Sequence, residues 1–197
     1  MKPINKVCVF CASSPKVDKK YLIDAELLGR EFARNKIHVV YGGGEVGLMG
    51  KLADSIIAER GMITGVIPGF MKQMKWANHR IPELIEVKDM HERKNLMIKG
   101  VDAVVALPGG VGTLEELTEV ITLKQLGQFF APIIIINTDG FYAHLIGFFE
   151  KMIEENFMRQ IHKDIWKVVD KPSDVLPAIY NSIPWDRNAI KFAAVED

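Results

Sequence analysis

Ala103-Val-Val-Ala-Leu-Pro-Gly-Gly-Val-Gly-Thr-Leu-Glu-Glu-Leu117 joins a continuous apolar run, a glycine-rich turn and the start of an amphipathic helix. An apolar run without alternation marks a strand covered on both faces, as in a parallel sheet flanked by helices. The same pattern recurs outward along the chain. Strands are expected at 6–12, 37–41, 62–68, 84–87, 103–107, 132–137 and 165–169, the isoleucines 133–136 being the clearest case. Helices are expected at 18–35, 47–60, 90–99, 113–127, 141–156 and 173–182. Strand–helix alternation means crossover units. The expected fold is therefore α/β, a doubly wound parallel sheet of about seven strands with helices on both faces. One domain is expected over residues 1–183, with 184–197 as a C-terminal tail, either loose or a partner contact.

Composition narrows the class. The 197 residues carry 25 Lys plus Arg against 25 Asp plus Glu, for a net charge of zero. A nucleic-acid binder usually has a basic excess, so none is expected as a partner. An apolar fraction of 48% is that of an ordinary globular chain. The longest apolar runs fall far short of the ~20 residues of a spanning helix, so no membrane contact is expected. The stretch 7–12 runs into Ser13-Ser14-Pro15-Lys16 and reads as a strand and loop, not a leader; a cytoplasmic protein is expected. Cys8 and Cys11 form a CxxC inside the first strand. Their side chains then point to opposite faces, and with no second CxxC they read as core residues. Five scattered histidines without HxH or HExxH predict no metal site. The methionines read mostly as core.

In doubly wound sheets ligands bind beyond the carboxyl ends of the strands, so the loops that follow them carry the chemistry. After the second strand, Tyr41-Gly-Gly-Gly-Glu-Val-Gly-Leu-Met-Gly50 places Gly42, Gly44 and Gly47 as GxGxxG. Glycines let a backbone approach an anion, and the next helix offers free N–H groups. The dinucleotide fingerprint is incomplete, because the following strand ends Val66-Ile67-Pro68-Gly69 without an acid. The Walker pattern also fails: five residues separate Gly44 from Gly50, and Leu52 follows Lys51. Gly43 and Gly44 are candidate ligand contacts. The second glycine turn adds Gly109, Gly110, Gly112 and Thr113. Thr113 and Glu116 have the spacing of a capping box. At about 100° per residue, Leu114, Leu117 and Ile121 form the expected buried stripe. Glu115 then lies opposite and Glu116 on the flank, looking back over the turn. In Met90-His-Glu-Arg-Lys-Asn-Leu-Met97, Met90, Arg93 and Met97 share one face. An arginine there either snorkels past apolar surface or aims a guanidinium into the cleft. Lys94 is solvated or a secondary contact. Ser13 and Ser14 after the first strand either complete a phosphate pocket or make an ordinary turn. Met90, Lys94 and Glu115 complete the candidate contacts. Trp76, at 71–79, reads as core or dimer contact ahead of a wall for a base; Met74 shares that loop, a candidate mobile lid, and Phe129 and Phe130 read as interface.

Arg93-Lys94 upstream of Pro108-Gly-Gly-Val-Gly-Thr-Leu-Glu-Glu116 resembles the paired signature of the LOG family. These are cytokinin riboside 5′-monophosphate phosphoribohydrolases, long labelled "possible lysine decarboxylase". CASSP at 11–15, YGGGEVGLMG at 41–50, VIPGF at 66–70, VITLKQLG at 120–127 and NTDGFY at 137–142 follow in family order; Glu45 departs from the family's usual small polar residue. The resemblance implies a Rossmann-like fold, a homodimer with sites near the interface, and no metal or redox cofactor. It implies Arg93 and Glu116 as the catalytic pair, and Gly109, Gly110, Gly112 and Thr113 as the phosphate site. The implied reaction hydrolyses the N-glycosidic bond of a nucleoside 5′-monophosphate, with a cytokinin riboside monophosphate or AMP as substrate. The decarboxylase label fits poorly, since no lysine has the sequence context of a Schiff-base residue. A non-catalytic nucleotide or cofactor carrier is the alternative.

Overall fold

The apolar runs do form strands. The computed structural model describes residues 3–193. β1 (Lys6–Phe10), β2 (His38–Tyr41), β3 (Ile63–Pro68), β4 (Glu83–Val87), β5 (Ala103–Ala106), β6 (Ile133–Ile136) and β7 (Trp166–Val169) make one sheet in the order β4-β3-β2-β1-β5-β6-β7. Every pairing is parallel. The order reverses between β1 and β5, and this switch point opens a crevice above the sheet.

Alternate strand residues feed two cores. Val7, Val9 and Cys11 pack with α1 (Lys19–Arg34), α2 (Gly47–Ala58) and α7 (Val175–Tyr180) on one face. Cys8 and Phe10 pack with α4 (Met90–Ile98), α5 (Val111–Gln125) and α6 (Ala143–Glu154) on the other. Both cysteines are buried and unpaired. Isoleucines 133–136 are all buried, alternately in the two cores. Each contributes about 1.5–3 kcal/mol relative to exposure, so a charge at Ile134 would break the centre of the fold.

Three expectations change. A short helix, α3 (Gly69–Gln73), follows β3 where only loop was expected. α5 starts at Val111, with Gly110 at its N-cap and no side-chain cap. Thr113 is thus inside the first turn, and no capping box forms with Glu116. The buried face of α5 is Thr113, Glu116, Leu117, Val120, Ile121 and Lys124, which turns Glu116 from the flank to the inside. The stretch set apart as a tail packs back in its described part. Trp185 and Ala189 are buried against the α5 and α6 core, the Trp185 indole N–H donates to the Lys124 carbonyl at 2.7 Å, and its ring meets Phe192 edge-on. Residues 194–197 lie outside the described range. Phe129 is core, while Phe130 is partly exposed. Among the described residues, no helix is long and apolar enough to cross a membrane.

Candidate active site

Above the switch point lies a cleft of ≈ 500 Å³, walled by the loops after β1, β2, β3 and β5 and by α4. Two glycines let these loops meet. Gly47 sits at φ +66°, and a Cβ there would lie 2.5 Å from the Ser13 carbonyl carbon. A Cβ on Gly42 would lie 2.1 Å from Arg93 Nη2, so the guanidinium can settle on this turn only because the side chain is hydrogen.

Arg93 enters from α4, whose N-cap Asp89 accepts the Glu92 N–H at 2.8 Å. Three of its five guanidinium N–H groups meet acceptors within the protein. Nε donates to the Val66 carbonyl at 3.1 Å, Nη2 to the Gly42 carbonyl at 3.2 Å, and Nη1 to Glu116 Oε1 at 2.7 Å. Both partners are only 7% exposed. Burial pushes the Glu116 carboxyl above its ordinary value, and the charge and hydrogen bond of Arg93 only partly offset this. Arg93 thus orients one carboxylate oxygen of a group whose charge is poorly solvated. Nearby, burial and Glu116 push the Cys11 thiol far up, which keeps it protonated and unsuited to nucleophilic attack.

The other feature is the start of α5. With no side-chain cap at Gly110, the first-turn N–H groups lack intrahelical acceptors and face the cleft with the positive end of the helix dipole. The Thr113 side chain is buried there, and a Cβ on Gly109 would lie 2.1 Å from its hydroxyl.

Of the candidate residues, Ser13, Ser14, Gly44, Met90, Arg93, Gly110, Gly112, Thr113 and Glu116 line this cleft. Gly43, Lys94, Gly109 and Glu115 do not. Gly43, at φ +72°, turns the chain and accepts the Asn78 N–H at 2.8 Å. The Lys94 ammonium pairs with Glu115 and, at 3.1 Å, with Glu119, so opposite charges hold the largely covered lysine between α4 and α5. Sequence reading missed Cys11, Val46, Ile67, Met71 and Lys75 as cleft residues, and put Trp76 in the core or at a dimer contact ahead of the wall where it stands. For Met71 and Trp76 the available signal was the excess of apolar residues between Pro68 and Pro82, more than a surface loop needs. A larger hollow of ≈ 870 Å³ at the amino edge of the sheet contains none of these loops.

Lys124 is buried away from the cleft, 3% exposed. Its ammonium donates to the Ala131 carbonyl at 2.9 Å beneath the Trp185 ring. Desolvation, assisted by Lys167, lowers its pKa to about 8.

Fold and cleft together define a Rossmann-like α/β protein with a buried carboxylate–guanidinium pair at the carboxyl edge of its sheet. Residues 49–179 match the family model described as "Possible lysine decarboxylase". A cytokinin riboside 5′-monophosphate phosphoribohydrolase of Arabidopsis thaliana is 40% identical over 86% of this chain and 78% of its own. A second from the same plant is 36% identical over 96% and 93%. The chain belongs to this family, the LOG family. The molybdenum cofactor carrier protein of Chlamydomonas reinhardtii superposes with a TM-score of 0.69 over 90% of this chain and 96% of that one; at 18% identity it shows the shared fold alone.

Proposed function

We propose that the protein hydrolyses the N-glycosidic bond of a nucleoside 5′-monophosphate, releasing free base and ribose 5-phosphate. The observation that carries this reading is the buried Arg93–Glu116 pair beside the uncapped start of α5, both in one cleft. The 5′-phosphate takes the first-turn N–H groups at residues 110–113. Cleavage of the C1′–N bond builds positive charge on the ribose, as in glycoside hydrolysis. Glu116 stabilises that charge or takes a proton from the water whose hydroxyl adds to C1′; that proton, passed on through Glu116 or bulk water, ends on the nitrogen of the departing base. Arg93, held by the Val66 and Gly42 carbonyls, acts chiefly by fixing where the carboxylate points. The activity for which the relatives are named supports the same reaction class. A homodimer, implied by the family resemblance, belongs to this proposal and is checked by sedimentation.

The test is incubation with AMP, N6-isopentenyl-AMP and other nucleoside 5′-monophosphates, watching for free base and ribose 5-phosphate. Comparing kcat/KM for the two adenylates fixes the base preference. Tight binding without turnover of any of them would refute hydrolysis and leave the carrier reading.

A further inference from the structure

Trp76 is held as a binding surface is held, yet nothing among the described residues uses its ring. Its backbone is pinned on both sides. Its N–H donates to the Met71 carbonyl at 3.2 Å, and its carbonyl accepts the Glu45 N–H at 3.3 Å. The next residue, Ala77, bridges Gly44 in antiparallel fashion, and the Asn78 N–H reaches the Gly43 carbonyl. The segment after α3 is thus stitched to the first glycine turn. The indole, 54% exposed, lines the cleft with Val46 and Met71. The other two tryptophans contrast with it. Trp166 packs on Phe149, and Trp185 donates to a carbonyl and meets Phe192. Among the described residues, Trp76 has neither a ring partner nor an acceptor for its indole N–H.

Its place along the sheet edge decides what it would meet. The α5 start follows β5, and the glycine turn that pins Trp76 follows β2, with β1 between them. Two strand spacings separate these poles by about 10 Å, comparable to the length of an extended nucleoside monophosphate. Arg93 and Glu116 line the cleft with both. A ligand whose phosphate caps α5 and whose glycosidic bond lies at Glu116 therefore brings its base to Trp76.

We infer that Trp76 is a specificity-determining residue: its indole face stacks on the flat heteroaromatic base of the substrate. This rests on the hydrolase reading above. The apolar wall selects for a planar base, whereas the α5 start is indifferent to what the ribose carries.

The test measures binding by calorimetry in a Glu116→Gln background, so that turnover does not consume the ligand, with AMP and ribose 5-phosphate as probes. Trp76→Ala is expected to weaken AMP between about 5- and 150-fold, the range of base–aromatic stacking. Ribose 5-phosphate should change less than about twofold, and Trp76→Phe should restore most of the AMP affinity. Unchanged AMP affinity in Trp76→Ala overturns the inference and leaves the hydrolase reading standing. A parallel loss for ribose 5-phosphate, or a drop in sedimenting mass, also overturns it, making Trp76 a structural or subunit contact. Failure of AMP to bind the protein with Trp76 intact overturns both.

Discussion

Replacing Glu116 by Gln and by Ala separates the chemistry of the carboxylate from its structural work. Glu116→Ala removes the counter-ion of a guanidinium that is 7% exposed and leaves it two carbonyl acceptors. Breaking a buried pair from one side costs about 3–5 kcal/mol, against a total stability of about 5–15 kcal/mol. Glu116→Gln leaves the guanidinium equally without a counter-ion but keeps the volume and an amide oxygen where Oε1 now meets Nη1 at 2.7 Å, so at pH 7 it should be more stable than the Ala variant by about 1 kcal/mol, the worth of the retained hydrogen bond, and less stable than wild type. Turnover should behave differently. Both variants lose the negative charge, and base release from AMP should fall at least about 10²-fold, the lower end for a general acid–base group. The pH dependence carries a third signature. Because the folded-state pKa of Glu116 is raised, the native state holds its proton more tightly than the unfolded chain between the ordinary and the raised value. The neutral carboxyl therefore favours folding at low pH, and that contribution is lost as pH rises through the folded pKa. The Gln variant should lack this loss, and the acid limb of wild-type activity should lie above the ordinary carboxyl range. The assays are urea denaturation across pH and chromatographic detection of free base. A Gln variant within about threefold of wild-type turnover would refute the role of the carboxylate. An Ala variant as stable as wild type would refute the buried-pair reasoning.

Other consequences follow from single contacts. Gly42→Ala puts a methyl group 2.1 Å from Arg93 Nη2; the guanidinium must move, and kcat should drop about 10²-fold, as for ~1 Å misplacements, while circular dichroism stays native. For Lys124, with a folded pKa of about 8 against 10.5 unfolded, the unfolded chain binds more protons across that window. Stability should therefore rise from pH 8 to 10.5, by on the order of 3 kcal/mol, and Lys124→Met should lack this rise and be more stable at pH 7. A Met variant with an unchanged pH–stability difference from wild type would contradict the assigned burial effect. Trp185→Ala removes a buried ring and its bond to the Lys124 carbonyl; it should cost about 3 kcal/mol and speed hydrogen exchange at 184–193, with AMP turnover unchanged.

The sheet was legible because strands buried on both faces must be apolar without interruption. Residues 103–106 and 133–136 therefore announce themselves, and each strand ends within one or two residues of its expected limit. The glycine turns were legible for a related reason: chain paths at φ above zero or in close contact exclude Cβ, as Gly47 and Gly42 show. Arg93 stood out as a cation on a methionine stripe. Local spacing misled where two local solutions compete. Thr113 and Glu116 fit a capping box, but a helix beginning at Val111 turns both inward, and Glu116 finds its partner on α4.

Trp76, Lys124 and Trp185 could not be read in the same way. Each owes its character to segments distant in the chain: the glycine turn that pins Trp76, the returning 184–193 stretch that covers Lys124, and the α5 carbonyl that holds Trp185. The sequence by itself determined the layers and the loops that meet at the switch point, because burial and backbone conformation constrain residue type locally. The tertiary structure alone decided which charges are spent, which are starved of solvent and which aromatic face is left open. Those properties depend on neighbours that no local spacing encodes.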